Sequence, residues 1–302
     1  MSKRISVIIP VFNDPKGLKE TVDSLLNQKY SPNDYEIIIV DNCSTDDTPD
    51  VVSAYLDKYP GTIRSTVEKS IKRSYMARNR GLELATSSLI CFIDSNVVVQ
   101  KDFFFRVIKS FDNDAVDYLG VNVVISIHKD TLTARYNKMN GFQISSDIKY
   151  NHYSPTCCLI VNKTVFNKVG KFYENLESGG DWDFGQRVFN AGFNQRYNNN
   201  IIVYHPARWK YSSLIIKAMR VSRGIAQLSH YFPSQYSQLY NSQFNIRRFL
   251  PGNPIKLYNL YNLMFSNVHL YQIFLLSIFH LPIRIISFFS LINEKIKLSN
   301  IT

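Results

Sequence analysis

ISVIIPVFNDPKGLKETVDSLLNQKYSPNDYEIIIVD, residues 5–41, opens on one apolar run, ISVIIP (5–10), and closes on another, EIIIV (36–40), that stops at Asp41. Between them Leu18, Val22, Leu25 and Leu26 recur at helical spacing over residues 16–27. A short, nearly continuous apolar run is what a strand buried on both faces requires, and strand–helix–strand is the repeating unit of a parallel sheet. The pattern continues downstream. Ser44-Thr-Asp-Asp47 caps a helix running through Tyr55, with Pro49 in its first turn. A weaker strand covers 62–67, a helix 75–85, and LICFI (89–93) is a fourth strand that stops at Asp94 before a helix over 101–111. This alternation predicts an α/β fold with a mostly parallel sheet flanked by helices.

The chain has 302 residues, of which 45% are apolar and 20% charged, a balance that excludes wholesale disorder. The four cysteines (43, 91, 157 and 158) form no C-x-x-C pair, which speaks against a zinc ribbon or disulfide scaffold and for a reducing compartment. Met1-Ser-Lys-Arg leads at once into the first strand, too short for a signal sequence, so a cytoplasmic protein is expected. The net charge of +11 is unevenly placed: residues 1–206 carry 24 Lys/Arg against 23 Asp/Glu, whereas residues 207–302 carry 11 against one, Glu294. The division this suggests is a catalytic-type α/β domain over 1–210 and a basic, apolar helical region over 211–302.

In parallel sheets ligands bind beyond the carboxyl ends of the strands, and Asp41 and Asp94 each stand directly after an apolar strand. A turn or helix cap is the other common use of an Asp there. No G-x-G-x-x-G follows the first strand and no G-x-x-x-x-G-K-[ST] occurs, so dinucleotide-binding and P-loop readings lose their support. VFNDPKG (11–17) has a single glycine where a nucleotidyltransferase would need a Gly-rich basic loop.

Seven stretches in order, SVIIPVFN (6–13), VDNCSTDDT (40–48), SYMARNRGLELAT (74–86), CFIDSNVVVQKDFF (91–104), CCLIVNKTVFNKVGKF (157–172), GGDWDFGQRVFNAGF (179–193) and VYHPAR (203–208), resemble the family-2 inverting glycosyltransferases with the GT-A fold. The resemblance covers about the first two thirds of the chain. It implies a nucleoside-diphosphate-sugar donor, UDP-linked by preference, whose base and ribose are held at the first strand ends by Pro10, Phe12, Asp41 and Arg78. The carboxylate of Asp41 can accept from a base N–H and the ring of Phe12 can lie against the base, although an aromatic there also serves simple packing.

Departure of a diphosphate builds negative charge that a divalent cation, Mn²⁺ or Mg²⁺, offsets by several kcal/mol. The resemblance places that cation at an Asp-x-Asp motif, here Asp94-Ser95-Asn96, with His205 completing the metal or diphosphate shell, although a lone His near a strand end is also commonly structural. The amide of Asn96 offers a neutral oxygen in place of a carboxylate, which weakens or alters the site. Inversion needs one general base at the acceptor hydroxyl, worth roughly 10²–10⁴-fold in rate. The family draws it from a Glu-Asp pair opening a helix. The Glu position is Gly180 here and the base position is Asp181, with Asp183 a supporting or structural acid. Taken alone, Asp181 reads as a helix cap; the resemblance makes it the base. Trp182 either walls the acceptor sugar or is a buried aromatic. With two departures in the key motifs, a catalytically weakened relative is the alternative to an active enzyme.

Residues 207–230 have helical spacing, with Lys217, Arg220 and Arg223 as a basic stripe, and residues 257–283 hold no charged side chain before Pro282 and Arg284 interrupt the run. Asn259, Asn262, Asn267, His269, Gln272 and His280 punctuate it. Helices lying on an anionic membrane surface fit this composition; a helical cap with no membrane and a true span are the other readings. A nucleic-acid partner is not expected, since no recognised binding motif occurs. The expected partners are the donor, a saccharide or lipid-linked acceptor, and the membrane surface. The expected products are surface glycans.

Overall fold

A computed structural model describes residues 4–69, 73–250, 253–265 and 270–300. The chain forms two compact units, one of residues up to 124 with 142–175 and 180–205, the other of residues 125–141, 176–179 and 206 onward. The second unit takes in two segments, 125–141 and 176–179, that neither charge nor composition marks.

The first unit is built on an eight-stranded sheet in the order β3-β2-β1-β4-β7-β6-β8-β5. Its strands are β1 (Ile5–Val11), β2 (Tyr35–Asp41), β3 (Ile63–Val67), β4 (Leu89–Ile93), β5 (Val98–Val99), β6 (Tyr118–Ser126), β7 (Cys158–Asn162) and β8 (Gln195–Pro206). Strands β3, β2, β1 and β4 run parallel, with Val11 level with Asp41 and Ile8 level with Phe92. Their apolar runs are fully buried, Ile37–Val40 and Ile90–Ile93 without exposure, because helices cover both faces. The helices are α1 (Pro15–Leu26), α2 (Thr48–Lys58), α3 (Ser74–Leu84) and α4 (Phe103–Asp114), close to the ranges the periodicity predicts.

The other half of the sheet is antiparallel: β7 pairs with both β4 and β6, and β5 with β8. The sheet is therefore mixed, and its second half draws largely on residues after 113, whose pattern carries no strand–helix alternation. Helices α5 (Leu132–Met139), α6 (Ile144–Asn151), α7 (Lys163–Val169) and α8 (Gly180–Asn190) fall in this part of the chain, α5 belonging to the second unit.

One charge lies deep in the parallel half. Glu36 on β2 is 2% exposed and accepts hydrogen bonds from the Ser6 hydroxyl (2.6 Å), the Thr86 hydroxyl (2.7 Å) and the Thr86 amide (2.8 Å). Arg64 pairs with it at 3.3 Å. Burial alone pushes its carboxyl pKa up, but these donors outweigh burial and hold it below the usual value.

Among the described residues the second unit contains α5, α9 (Tyr211–Tyr231), α10 (Pro233–Ser242), α11 (Pro254–Met264) and α12 (Leu270–Ser299), with a short 3-10 turn at Ile246–Phe249. Met139 on α5, Tyr261 on α11 and Ile273 and Leu276 on α12 make a small core. α12 is one continuous helix through Pro282, which corrects the expectation that Pro282 and Arg284 interrupt it. Proline in a helix interior costs about 3 kcal/mol or more. Packing along α9 offsets that cost: Tyr211 donates to the Phe279 carbonyl (3.0 Å), Ser290 to the Met219 carbonyl (3.4 Å) and Gln227 to Glu294 (2.8 Å). Within the basic stripe on α9, Arg223 pairs with Glu177 at 2.8 Å. Asn267 and His269 lie outside the described residues.

Candidate active site

The parallel strands end at one rim, and that rim carries the first group of candidate residues. Val11 and Asp41 are level at the ends of β1 and β2, and the Asn42 amide donates to the Val11 carbonyl (2.8 Å). One Asp41 oxygen accepts from the Ser44 amide three residues on (3.0 Å), a side-chain-to-backbone bond that fixes the carboxylate. Asn13 ties the next loop to it, donating from its amide to Ser44 (2.9 Å) and accepting from the Thr45 amide (2.8 Å). Phe12 projects beside this loop with 49% of its surface exposed, so simple core packing does not account for it. Ile8 is level with Phe92, which carries Pro10 on β1 to the height of Asp94 after β4.

Asp94 is fixed from two sides. Its amide donates to the Cys157 carbonyl (3.1 Å), extending the β4–β7 ladder by one bond. Its Oδ1 receives Nη2 of Arg78 at 2.5 Å, and the Arg78 side chain is only 5% exposed. The turn after it closes through the Val97 amide on the Asp94 carbonyl (3.1 Å). Within that turn Asn96 has a buried Oδ1 with no hydrogen-bond partner. A buried carbonyl oxygen without a donor is costly, and a cation would satisfy it. β5 pairs with β8 so that Val98 faces Tyr204, which brings His205, next along β8, level with Val97. His205 is 9% exposed and packs edge-on to Phe142 (5.5 Å between ring centres).

Among the described residues no three His, Cys, Asp or Glu side chains lie close enough to hold a metal ion by themselves. The donors at this turn are one carboxylate and one orphaned amide oxygen, with an imidazole on the neighbouring strand. That set suits a hard cation that takes its other ligands from diphosphate and water, as Mg²⁺ and Mn²⁺ do.

Asp181 stands in the first turn of α8, where the helix dipole favours an acid. Its Oδ1 accepts from the Trp182 amide (3.1 Å) and from the Tyr75 hydroxyl (3.1 Å). The Tyr75 ring lies 5.7 Å below the Arg78 guanidinium. A continuous chain thus runs Asp94, Arg78, Tyr75, Asp181. The buried Cys157 thiol registers the same convergence: burial pushes its pKa well up, and the carboxylates of Asp94 and Asp181 push it further. Asp147 on α6 is also raised, by burial first and in part by Asp181.

The remaining α8 residues divide by burial. Asp183 is 1% exposed and pairs with Arg187 at 2.9 Å, which in turn bonds the carbonyls of Val169 and Lys171. It braces the turn between α7 and α8, a structural acid. The half-buried Trp182 ring stacks on Tyr153 at 5.4 Å and 9°. Tyr75 carries no signal of its own in the sequence beyond its place one helical turn before Arg78 in SYMARNRG.

Three comparisons bear on this geometry. Residues 6–175 match the family described as glycosyl transferase family 2. The glycosyltransferase AglE of Haloferax volcanii is 29% identical over 225 residues, 74% of this chain and 73% of the relative. Several other curated relatives are about twice as long as the matched span or longer. Among solved structures, a mannosyltransferase from Pyrobaculum calidifontis in complex with GDP-Man and Mn²⁺ superposes with a TM-score of 0.63 at 18% identity, covering 99% of this chain and 87% of that one. TarS 1–349 of Staphylococcus aureus with UDP-GlcNAc gives 0.58 at 16% identity, covering 98% and 92%. The fold is therefore that of the GT-A glycosyltransferases.

Proposed function

Because the chain belongs to glycosyl transferase family 2, we propose that its strand-end rim transfers a hexose from a nucleoside-diphosphate-sugar, UDP-linked by preference, to a saccharide or lipid-linked acceptor with inversion at the sugar. The observation that carries this reading is the chain of contacts from Asp94 through Arg78 and Tyr75 to Asp181, which joins a donor-side acid to an acceptor-side acid.

Asp41 accepts from the base and Phe12 lies against it, with Pro10 shaping the floor. Arg78 holds Asp94 in place and brings a positive charge to the phosphate side of the nucleoside. Asp94 and Asn96, with His205 beside them, would hold a divalent cation, which would supply positive charge against the departing diphosphate. Asp181 keeps Oδ1 occupied by two donors and presents Oδ2 to the acceptor hydroxyl. It takes that hydroxyl's proton as the oxygen attacks the anomeric carbon from the face opposite the diphosphate. One displacement, with no covalent intermediate, inverts the centre.

The second unit supports a cytoplasmic-face, membrane-surface setting for the acceptor. α11 and α12 expose Ile255, Leu263, Tyr271, Phe274 and Phe289, and one stretch, Tyr271–Ser299, is long and apolar enough to cross a membrane. Relatives named for teichoic acid and poly(ribitol-phosphate) glycosylation fit a surface-glycan product.

A donor panel tests the reading. UDP- and GDP-sugars are screened by thermal shift with and without Mn²⁺, then by transfer. One nucleotide-sugar is expected to raise the melting temperature only with metal, and Asp181→Asn to keep that shift while losing 10²-fold or more of turnover. Binding of a UDP-sugar with no turnover under any condition would favour the weakened-relative reading, which the amide at Asn96 motivates. Full activity of Asp181→Asn would overturn the base assignment.

A further inference from the structure

Where the family pattern has a Glu, this chain has Gly180, and the structure shows what fills the space. A Cβ built on Gly180 would lie 2.8–2.9 Å from three carbons of the Tyr75 ring, closer than any real contact. The Gly180 backbone has no left-handed φ that would itself demand glycine. The glycine is there because the ring is there. Tyr75 is 4% exposed, stacks on Phe172 at 5.7 Å, and directs its hydroxyl onto Asp181 Oδ1 at 3.1 Å. Phe172 in turn packs on Phe92 of β4 and Phe184 of α8, so the ring is anchored to the sheet.

We propose that Tyr75 is the positioning residue of Asp181, and that Tyr75 and Gly180 form a matched pair replacing the family's Glu. This rests on the reading of Asp181 as the base. The phenol O–H and the Trp182 amide both occupy Oδ1, so the carboxylate cannot rotate freely and Oδ2 stays turned to the acceptor. The same ring supports the Arg78 guanidinium that holds Asp94. One side chain therefore sets the spacing between the donor and acceptor carboxylates. On this account the loss of the Glu is compensated and does not mark decay of the site.

The groups around Asp181 are Tyr75 from α3, Asp147 and Tyr153 from α6 and the turn after it, Tyr118 from β6 and Cys157 before β7. All except Tyr75 are unchanged in the test variant, Tyr75→Phe. That variant keeps the ring and removes one hydrogen-bond donor from Asp181 Oδ1.

With the full chain labelled at aspartate Cγ, the Asp181 resonance at neutral pH, assigned by its loss in Asp181→Asn, is expected to change chemical shift in Tyr75→Phe, because one hydrogen bond to Oδ1 is gone. An unmoved Asp181 resonance overturns the proposal. A stability cycle tests the pairing: Gly180→Ala is expected to lower Tm by about 5 °C in the wild type. In a Tyr75→Ala background it should cost nothing, since Ala is the better helix former. Equal losses in both backgrounds overturn the matched pair. In transfer assays Tyr75→Phe is expected to lower kcat about tenfold with the donor KM within twofold. Both physical readouts stand apart from turnover, so a failed base assignment, seen as an active Asp181→Asn, is distinguishable from failure of this inference.

Discussion

Single side chains decide how close the loops of the rim approach. Gly17 lets the first turn of α1 sit against the 94–96 turn: a Cβ there would lie 2.6 Å from the Ser95 carbonyl and 2.2 Å from Asp14 Oδ2. Asp14 itself caps α1 through the Gly17 amide (3.0 Å) and accepts from the Ser95 hydroxyl (3.3 Å). Gly17→Ala is expected to destabilise by about 1–3 kcal/mol, read by thermal or chemical melting, because the obstructing carbonyl is backbone. Asn96 is the second decisive residue. Restoring a carboxylate with Asn96→Asp adds a charge for a hard cation, so half-maximal Mn²⁺ stabilisation in a thermal-shift titration should fall about tenfold. No change in the Mn²⁺ response would remove Asn96 from the cation site.

At the scale of elements, β2 carries a carboxylate held below its ordinary pKa, and this gives the parallel half a pH dependence. A depressed folded-state pKa contributes stability that is present above the unfolded value and is lost as pH falls through the folded one. For Glu36 that window opens just below the ordinary Glu pKa of 4.5 and extends downward. Glu36→Gln should therefore narrow the stability gap between pH 7 and pH 3, measured by urea melts, while costing about 2 kcal/mol at pH 7 from mismatched donors. α12 supplies a contrasting case. Pro282 is exposed on a helix that continues past it, so Pro282→Ala restores one main-chain bond at a solvent-facing position. It should raise stability by about 1–3 kcal/mol with no loss of far-UV helicity. A fall in helicity or in stability would overturn this expectation.

Across the whole molecule the excess positive charge sits after residue 206, together with exposed aromatic and aliphatic side chains on α11 and α12. Not all of that charge is free: Arg223 is spent on Glu177, whereas Arg220 and Arg247 are exposed. Each cation near an anionic surface contributes roughly 1 kcal/mol and is screened by salt, while buried apolar area is not. Cosedimentation with vesicles containing phosphatidylglycerol should exceed that with phosphatidylcholine alone, and 0.5 M salt, about ten times a low-salt buffer, should weaken it without abolishing it. Equal recovery in the supernatant with both vesicle types would leave the helical region as a cap.

By itself the sequence determined the parallel half of the sheet and the acids at its rim. β1, β2 and β4 are contiguous apolar runs, and Asp41 and Asp94 each follow one directly, so both are readable from neighbours along the chain. Asp181 was legible only through its resemblance to a family pattern, since a cap and a base look alike in one dimension. The antiparallel half, the passage of α12 through Pro282 and the pairing of Tyr75 with Gly180 were decided by tertiary structure. Each depends on contacts between residues far apart in sequence, such as Tyr75 with Asp181, or Tyr211 with Phe279. Local propensity carries no record of which distant side chain will fill a space, and that filling is what makes a glycine necessary or a helical proline tolerable.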